Sequence, residues 1–200
     1  MKGNQLTYTI GDNLYINLND RCTLRCAFCP KTHGIKQVRT YDLTLDHRPD
    51  VDDIIDDIGD PRIYQQVIFC GFGESTLRLK ALLKIAGYVK DHGGSTRVNT
   101  DGLANLFHKR NVLPELKQDI DALSVSMNAN NEALYNLHCQ PQLKGSYQAM
   151  LKFLRDAPNY IDDVTATAIV GLDGVDIAEC ERQARKIGVK FRRRVLDVVG

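Results

Sequence analysis

The chain carries no excess of charge of either sign. Its 200 residues hold 26 lysines and arginines against 25 aspartates and glutamates, a net charge of +1. So even a balance offers no general attraction to nucleic acid or to an anionic lipid surface. No apolar run approaches the roughly twenty residues of a membrane-spanning helix, so no span is expected. The opening MKGNQLTYTIGDN lacks the apolar core of a secretory signal. That points to a cytoplasmic protein whose thiols stay reduced. There is no internal repeat and no low-complexity tract. At this length the expectation is one domain over residues 1–200.

What is present is an alternation of strand-like and helix-like segments. Leu14 to Leu18 alternates as a first strand. Val51, Ile54, Ile55 and Ile58 follow helical spacing, with aspartates on the wet face. Val67 to Cys70 is a short apolar run, as in a buried parallel strand. Leu79 to Val89 is helical, and Gly93-Gly94 stops it. Strands are expected at 95–99, 122–126, 164–170 and 189–196. Helices are expected near 113–120, 132–137, 147–154 and 177–187. Six βα units argue for a parallel sheet with crossover helices, and for an α/β partial barrel, since eight units would close one. The competing architecture is a doubly wound open sheet. Both place functional residues at the carboxyl ends of strands.

Those ends carry polar and glycine-rich clusters. Gly71-Phe72-Gly73-Glu74 follows the second strand, Asn99-Thr100-Asp101-Gly102 the third, and Ser126-Met127-Asn128 the fourth. Each alone reads as an ordinary loop; several at one end, beside a cysteine cluster, read as a shared site. Arg192-Arg193-Arg194 is the one basic run. Within a strand Arg193 faces opposite to its neighbours. The inward arginines either meet an anion, which a buried guanidinium requires, or belong to an edge strand facing water. With the sixth strand so near residue 200, the open side of the barrel is expected to take a large substrate or a partner.

The strongest signal is Arg21-Cys22-Thr23-Leu24-Arg25-Cys26-Ala27-Phe28-Cys29. Three cysteines at Cys-x3-Cys-x2-Cys are one short of a closed structural zinc site. A [4Fe–4S] cluster takes four ligands, usually thiolates, and three would leave one iron open. A zinc site completed by a distant residue and a ferredoxin-like carrier remain alternatives. The other three cysteines stand apart. Cys70 and Cys180 read as inert core thiols. Cys139, next to His138, is a weak candidate for a metal pair.

This loop resembles the signature of radical S-adenosylmethionine (SAM) enzymes. The resemblance implies a partial (β/α)6 barrel in which Cys22, Cys26 and Cys29 hold a [4Fe–4S] cluster. SAM would chelate the fourth iron and be cleaved reductively to a 5′-deoxyadenosyl radical. It implies that Phe28 packs near the adenine and that Gly71, Phe72, Gly73 and Glu74 form the turn contacting the methionine ammonium. Phe72 and Ser75 depart from the usual Gly-Gly-Glu-Pro. It further implies polar SAM contacts from Asn99, Ser126 and Asn128, and an electron donor such as flavodoxin or ferredoxin. The stretches NLYINLNDRCTLRCAFCPK, FCGFGESTLRL, SVSMNA and GVDIAECERQARKIGVKFRRRV resemble small radical SAM proteins associated with TatD-family nucleases. That makes a nuclease of this type a conceivable partner. The alternative to an enzyme is a non-catalytic iron–sulfur protein for electron transfer or redox sensing.

Overall fold

The computed structural model describes residues 5–196; residues 1–4 and 197–200, and with them the first residues of the opening stretch and the Val198-Val199-Gly200 end, lie outside the described residues. β1 (Thr7–Ile10) and β2 (Asn13–Ile16) form an antiparallel hairpin. Its two-residue turn begins with Gly11 at φ +59°, the conformation that favours glycine there. The cysteine loop follows, then a 3-10 turn at Pro30–His33 and a small hairpin of β3 (Gln37–Val38) and β4 (Tyr41–Asp42). Next come α1 (Val51–Ile58), β5 (Gln66–Phe69), α2 (Leu79–Asp91) and β6 (Thr96–Thr100). The short α3 (Ala104–His108) and α4 (Leu113–Asp119) lead to β7 (Ala122–Ser126). The chain continues through α5 (Glu132–Cys139), α6 (Ser146–Asp156), β8 (Asp163–Val170), α7 (Ile177–Ile187) and β9 (Lys190–Val195).

The main sheet runs β1-β2-β5-β6-β7-β8-β9, parallel from β2 onward. Spatial order equals chain order, with no reversal. A doubly wound sheet requires one, so the partial barrel is the architecture. The sheet also curls. β9 lies five strand spacings from β2, about 24 Å in a flat sheet. Yet the Arg192 guanidinium acts on the Tyr15 hydroxyl of β2, and Arg194 acts on Cys70 just after β5.

Alternation sorts the side chains onto two faces. Leu14, Ile16, Val67, Phe69, Val98 and Leu123 belong to one core with the helices outside. Tyr8, Ile10, Tyr15, Leu43 and Ile68 form a separate cluster on the inner face. The Tyr8 and Tyr15 rings stack at 5.2 Å, and Tyr41 of the small hairpin lies 5.6 Å from Tyr8. The interior is thus filled with apolar side chains beside β1, β2 and β5. Beside β6 to β9 it is polar.

The expected strands and helices are present, with three additions, one of them the short α3. β1 adds an antiparallel edge, and the β3–β4 hairpin tucks Leu43 into the interior. The strand expected through Leu18 ends at Ile16, because Asn17 turns to other partners. Its amide donates to Leu6 O at 2.8 Å, and its side chain donates to Gln5 O and Leu43 O. The amide and hydroxyl of Thr7 both donate to Asp57 Oδ2, at 3.1 and 2.8 Å, tying β1 to α1. Asp57→Ala should loosen this edge at a cost of about 1–2 kcal/mol. Hydrogen exchange should then quicken at Thr7–Ile10 and stay slow in β6 and β7; equal quickening in all three would refute the local role.

Candidate active site

The cysteine loop leaves the carboxyl end of β2 and is pinned from two sides. On one side it pairs with the segment after α5. Arg25 N donates to Cys139 O at 3.1 Å, Ala27 N to His138 O at 2.8 Å, and Gln142 N to Thr23 O at 2.9 Å. Leu24 and Pro141 form an antiparallel bridge. On the other side it meets the turn after β5. Glu74 N donates to Arg21 O at 2.7 Å, and Asn19 Nδ2 donates to both Arg21 O and Glu74 O. A Cβ on Gly73 would lie 2.0 Å from Asn19 O and 2.8 Å from Arg21 O, and one on Gly71 would lie 2.6 Å from Asn17 Oδ1. Backbone stands against backbone at Gly73, so only glycine fits.

Glu74 is buried and caps the turn it begins. Its Oε1 accepts from Thr76 N, Thr76 Oγ1 and Thr100 Oγ1 at 2.7–3.0 Å. Its Oε2 accepts from Asp101 N at 2.7 Å. Asp101 is buried beside it, accepts from Leu103 N at 2.9 Å and receives the Thr23 hydroxyl. Burial, and after it the charge of the adjacent Glu74 carboxylate, drive the Asp101 pKa well up. The strand-end loops of β2, β5 and β6 therefore meet at Thr23, Glu74 and Asp101. The sequence pattern of Asn-Thr-Asp-Gly gives no sign of this, because it equally forms ordinary turns.

All six cysteines carry free thiols. Cys22 and Cys26 are half-buried and pack against the main core. Leu24 N donates to Cys22 Sγ at 3.4 Å. Burial, with the Asp101 and Glu74 carboxylates adding to it, pushes the Cys22 thiol up to about 12. A hydrogen bond with Cys139 and burial push Cys26 up as well. Loading a metal on either must expel a proton. Among the described residues no three His, Cys, Asp or Glu side chains converge on a single ion. A cubane instead asks for thiolates on separate irons, which one flexible-lengthed loop of three cysteines suits.

The remaining expected residues fall in three places. Asn128 has φ +59°, is buried, and donates Nδ2 to Cys139 Sγ at 3.7 Å, while its Oδ1 has no partner. Asn99 lies on the inner face against the Cys70 thiol, and its Oδ1 is also buried without a partner. Ser126 is half-buried at the end of β7. Phe28 lines a cavity of about 340 Å³ together with His138, Leu172 and Leu196. Leu172 and Leu196 follow β8 and β9, so this cavity too opens at the carboxyl ends. Two orphaned amide oxygens are costly unless a ligand donates to them. Cys139 is the neighbour that spacing could not reveal: it is distant in sequence and reaches Cys26 through the turn after α5. His33, for its part, is exposed, with its ring nitrogen on Ala27 O at 2.6 Å.

The family model of the Radical SAM superfamily matches residues 16–187. The chain belongs to the Radical SAM superfamily. Members of that superfamily typically bind a [4Fe–4S] cluster and SAM. Solved structures share the fold at low identity. The structure of TYW1 with a lysine-pyruvate adduct is 15% identical, with a TM-score of 0.65 over 94% of this chain and 66% of that one. SuiB of Streptococcus suis bound to its precursor peptide SuiA is 13% identical, with a TM-score of 0.72 over 96% and 40%. A radical SAM methyltransferase from Sphaerobacter thermophilus is 13% identical, with a TM-score of 0.61 over 94% and 68%. The chain thus spans less than two thirds of the first two. No curated protein matches it in sequence. Among the described residues no helix is long and apolar enough to cross a membrane.

Two outcomes follow from this geometry. The folded chain holds a proton on Asp101 that the unfolded chain releases from about pH 4. Stability should therefore fall as pH rises toward the raised folded value. Asp101→Asn removes this titration and should flatten the decline that sets in above about pH 4 in urea unfolding. An unchanged slope would place the proton elsewhere. Gly73→Ala forces a methyl into the Asn19 backbone and should cost about 1–3 kcal/mol. It should also lower iron retention, measured by thermal unfolding and by iron content after anaerobic reconstitution.

Proposed function

We propose that the chain is a radical SAM enzyme that cleaves SAM reductively and uses the resulting 5′-deoxyadenosyl radical to abstract hydrogen from a substrate. One observation carries this. Three thiols lie on the loop leaving the first parallel strand, in a site where Asn99 and Asn128 present amide oxygens without partners. Cys22, Cys26 and Cys29 would hold three irons of a [4Fe–4S] cluster and leave the fourth for SAM. Bound together, cluster and SAM supply the electron for the sulfonium and the carbon radical that takes hydrogen.

The chain's own part is to bind, orient and exclude water. The carbonyls of the Gly71-Phe72-Gly73 turn would accept from the methionine ammonium. Glu74 serves that contact by holding the turn, since its oxygens already bind Thr76, Thr100 and Asp101. Asn99, Ser126 and Asn128 have the amide and hydroxyl groups suited to ribose and carboxylate. Phe28 would pack on adenine from its cavity. A flavodoxin or ferredoxin would supply the electron in a reducing cytoplasm. The finer likeness to TatD-associated radical SAM proteins, with a nuclease as partner, rests on the four sequence stretches alone.

Cys139 supports a second reading, a closed four-thiolate cluster in a non-catalytic electron carrier. Its place weighs against this: it is buried, lies outside the loop that carries the other three, and its thiol is engaged by Asn128 Nδ2 at 3.7 Å. Anaerobic reconstitution separates the readings. The wild type should bind about four irons and yield 5′-deoxyadenosine from SAM under strong reductant. Cys22→Ala, Cys26→Ala and Cys29→Ala should each lose the cluster. Cys139→Ala should keep both iron and SAM cleavage; loss of the cluster in that variant, with folding retained, would establish the four-thiolate carrier instead.

A further inference from the structure

The three arginines of β9 divide as strand geometry requires. Arg193 faces outward and donates Nη2 to Glu181 of α7 at 2.7 Å. Arg192 and Arg194 face the barrel interior, where they act on Tyr15 and Cys70. A third guanidinium joins them. Arg97 of β6 is half-buried, lies two strands from Tyr15 on the same row of the inner face, and its charge opposes that of Arg192. Its Nε is buried without a partner.

No carboxylate among the described residues forms an ion pair with any of these three. Asp163 is the one carboxylate whose charge bears on Arg97, and it is engaged by Lys190 Nζ at 3.0 Å. The strands between β6 and β9 turn small hydroxyls inward, Ser124 opposite Thr165. The opposite flank is closed by the Tyr8 and Tyr15 cluster. Like charges facing an interior that is partly closed to water are costly unless an anion joins them. Guanidinium forks suit the paired oxygens of phosphate and carboxylate.

We infer that the barrel interior binds the anionic group of a substrate, a phosphate or a carboxylate, between Arg97 and Arg192, with Arg194 nearer the mouth. Arg97 lies one inward step, about 6.6 Å along the strand, deeper than Asn99. Arg192 pairs with Thr167, itself opposite Ser126, so the anion's site runs from below Asn99 up to the level of Ser126. That it belongs to a substrate rests on the radical SAM reading; that an anion binds there does not.

The test uses anaerobically reconstituted protein at low ionic strength. Inorganic phosphate and malonate are titrated separately by calorimetry and thermal shift, with sodium chloride of equal ionic strength as reference. At least one probe should stabilise the wild type beyond chloride, and the stronger one identifies phosphate or carboxylate chemistry. Arg97→Gln and Arg192→Gln should each weaken that binding about tenfold or more, the loss of about 1.4 kcal/mol. Arg97→Lys should restore part of it, and Arg193→Gln should leave it unchanged. Absence of binding by both probes, or equal weakening by Arg193→Gln, overturns the inference. So does loss of SAM binding in Arg97→Gln with iron retained, because the anion would then be the SAM carboxylate. Arginine-dependent anion binding in a wild type that never cleaves SAM would sink the enzyme reading and leave this one standing.

Discussion

Two adjacent buried carboxyls, Glu74 and Asp101, hold the site together. Glu74 and Asp101 sit at the ends of adjacent strands, where their charges would repel if both ionised. Each instead collects donors from the loops around it: Thr76, Thr100 and Leu103 from its own side, and the Thr23 hydroxyl from the cysteine loop. A buried network of this kind is rigid only when every member is satisfied. Here the satisfied network places Cys22 next to two acids, which raises its thiol and couples metal loading to proton release. The glycines of the turn follow from the same constraint. They let the β5 loop lie backbone to backbone against Asn19 and Arg21, so the ligand-facing carbonyls are positioned by the cysteine loop itself.

The barrel interior is divided along its circumference. Aromatic and aliphatic side chains from β1, β2, β5 and the small hairpin fill one flank, while β6 to β9 present hydroxyls, amides and guanidiniums to the other. An extra antiparallel strand makes this possible, because Tyr8 stacks on Tyr15 and donates its hydroxyl to Cys70 O at 2.9 Å. Burial keeps that hydroxyl protonated. The polar flank faces the same space as the unpartnered Asn99 oxygen. On the proposed reading, a dry wall on one side and an orienting charge on the other would be complementary demands.

Cys139 shows how a fold changes the meaning of a residue. In sequence it is a lone cysteine beside a histidine. In the structure its carbonyl tethers Arg25 and its thiol touches Cys26 and Asn128, while His138 turns away to Asp173 O at 2.8 Å. If Cys26 ligates a cluster as proposed, a thiol beside it would be among the features that set the potential of that centre.

The sequence by itself determined the periodicities, and with them the six parallel strands, the outer helices and the cysteine loop at a strand end. Those features are local: alternation, helical spacing and the Cys-x3-Cys-x2-Cys interval are complete within a few residues. Asn99 and Asn128 were legible as candidates for the same reason, since strand ends can be counted; Phe28 was a candidate only through the family resemblance of the cysteine loop. Only the tertiary structure decided that the sheet curls, that Gly73 is required by Asn19 and Arg21, and that Glu74 binds Asp101 instead of standing open. It also decided that Arg97 and Arg192 meet across the interior. Each of these depends on which distant segments come into contact. No periodicity records that, because burial and charge pairing are set by the neighbours a residue acquires on folding and not by its place in the chain.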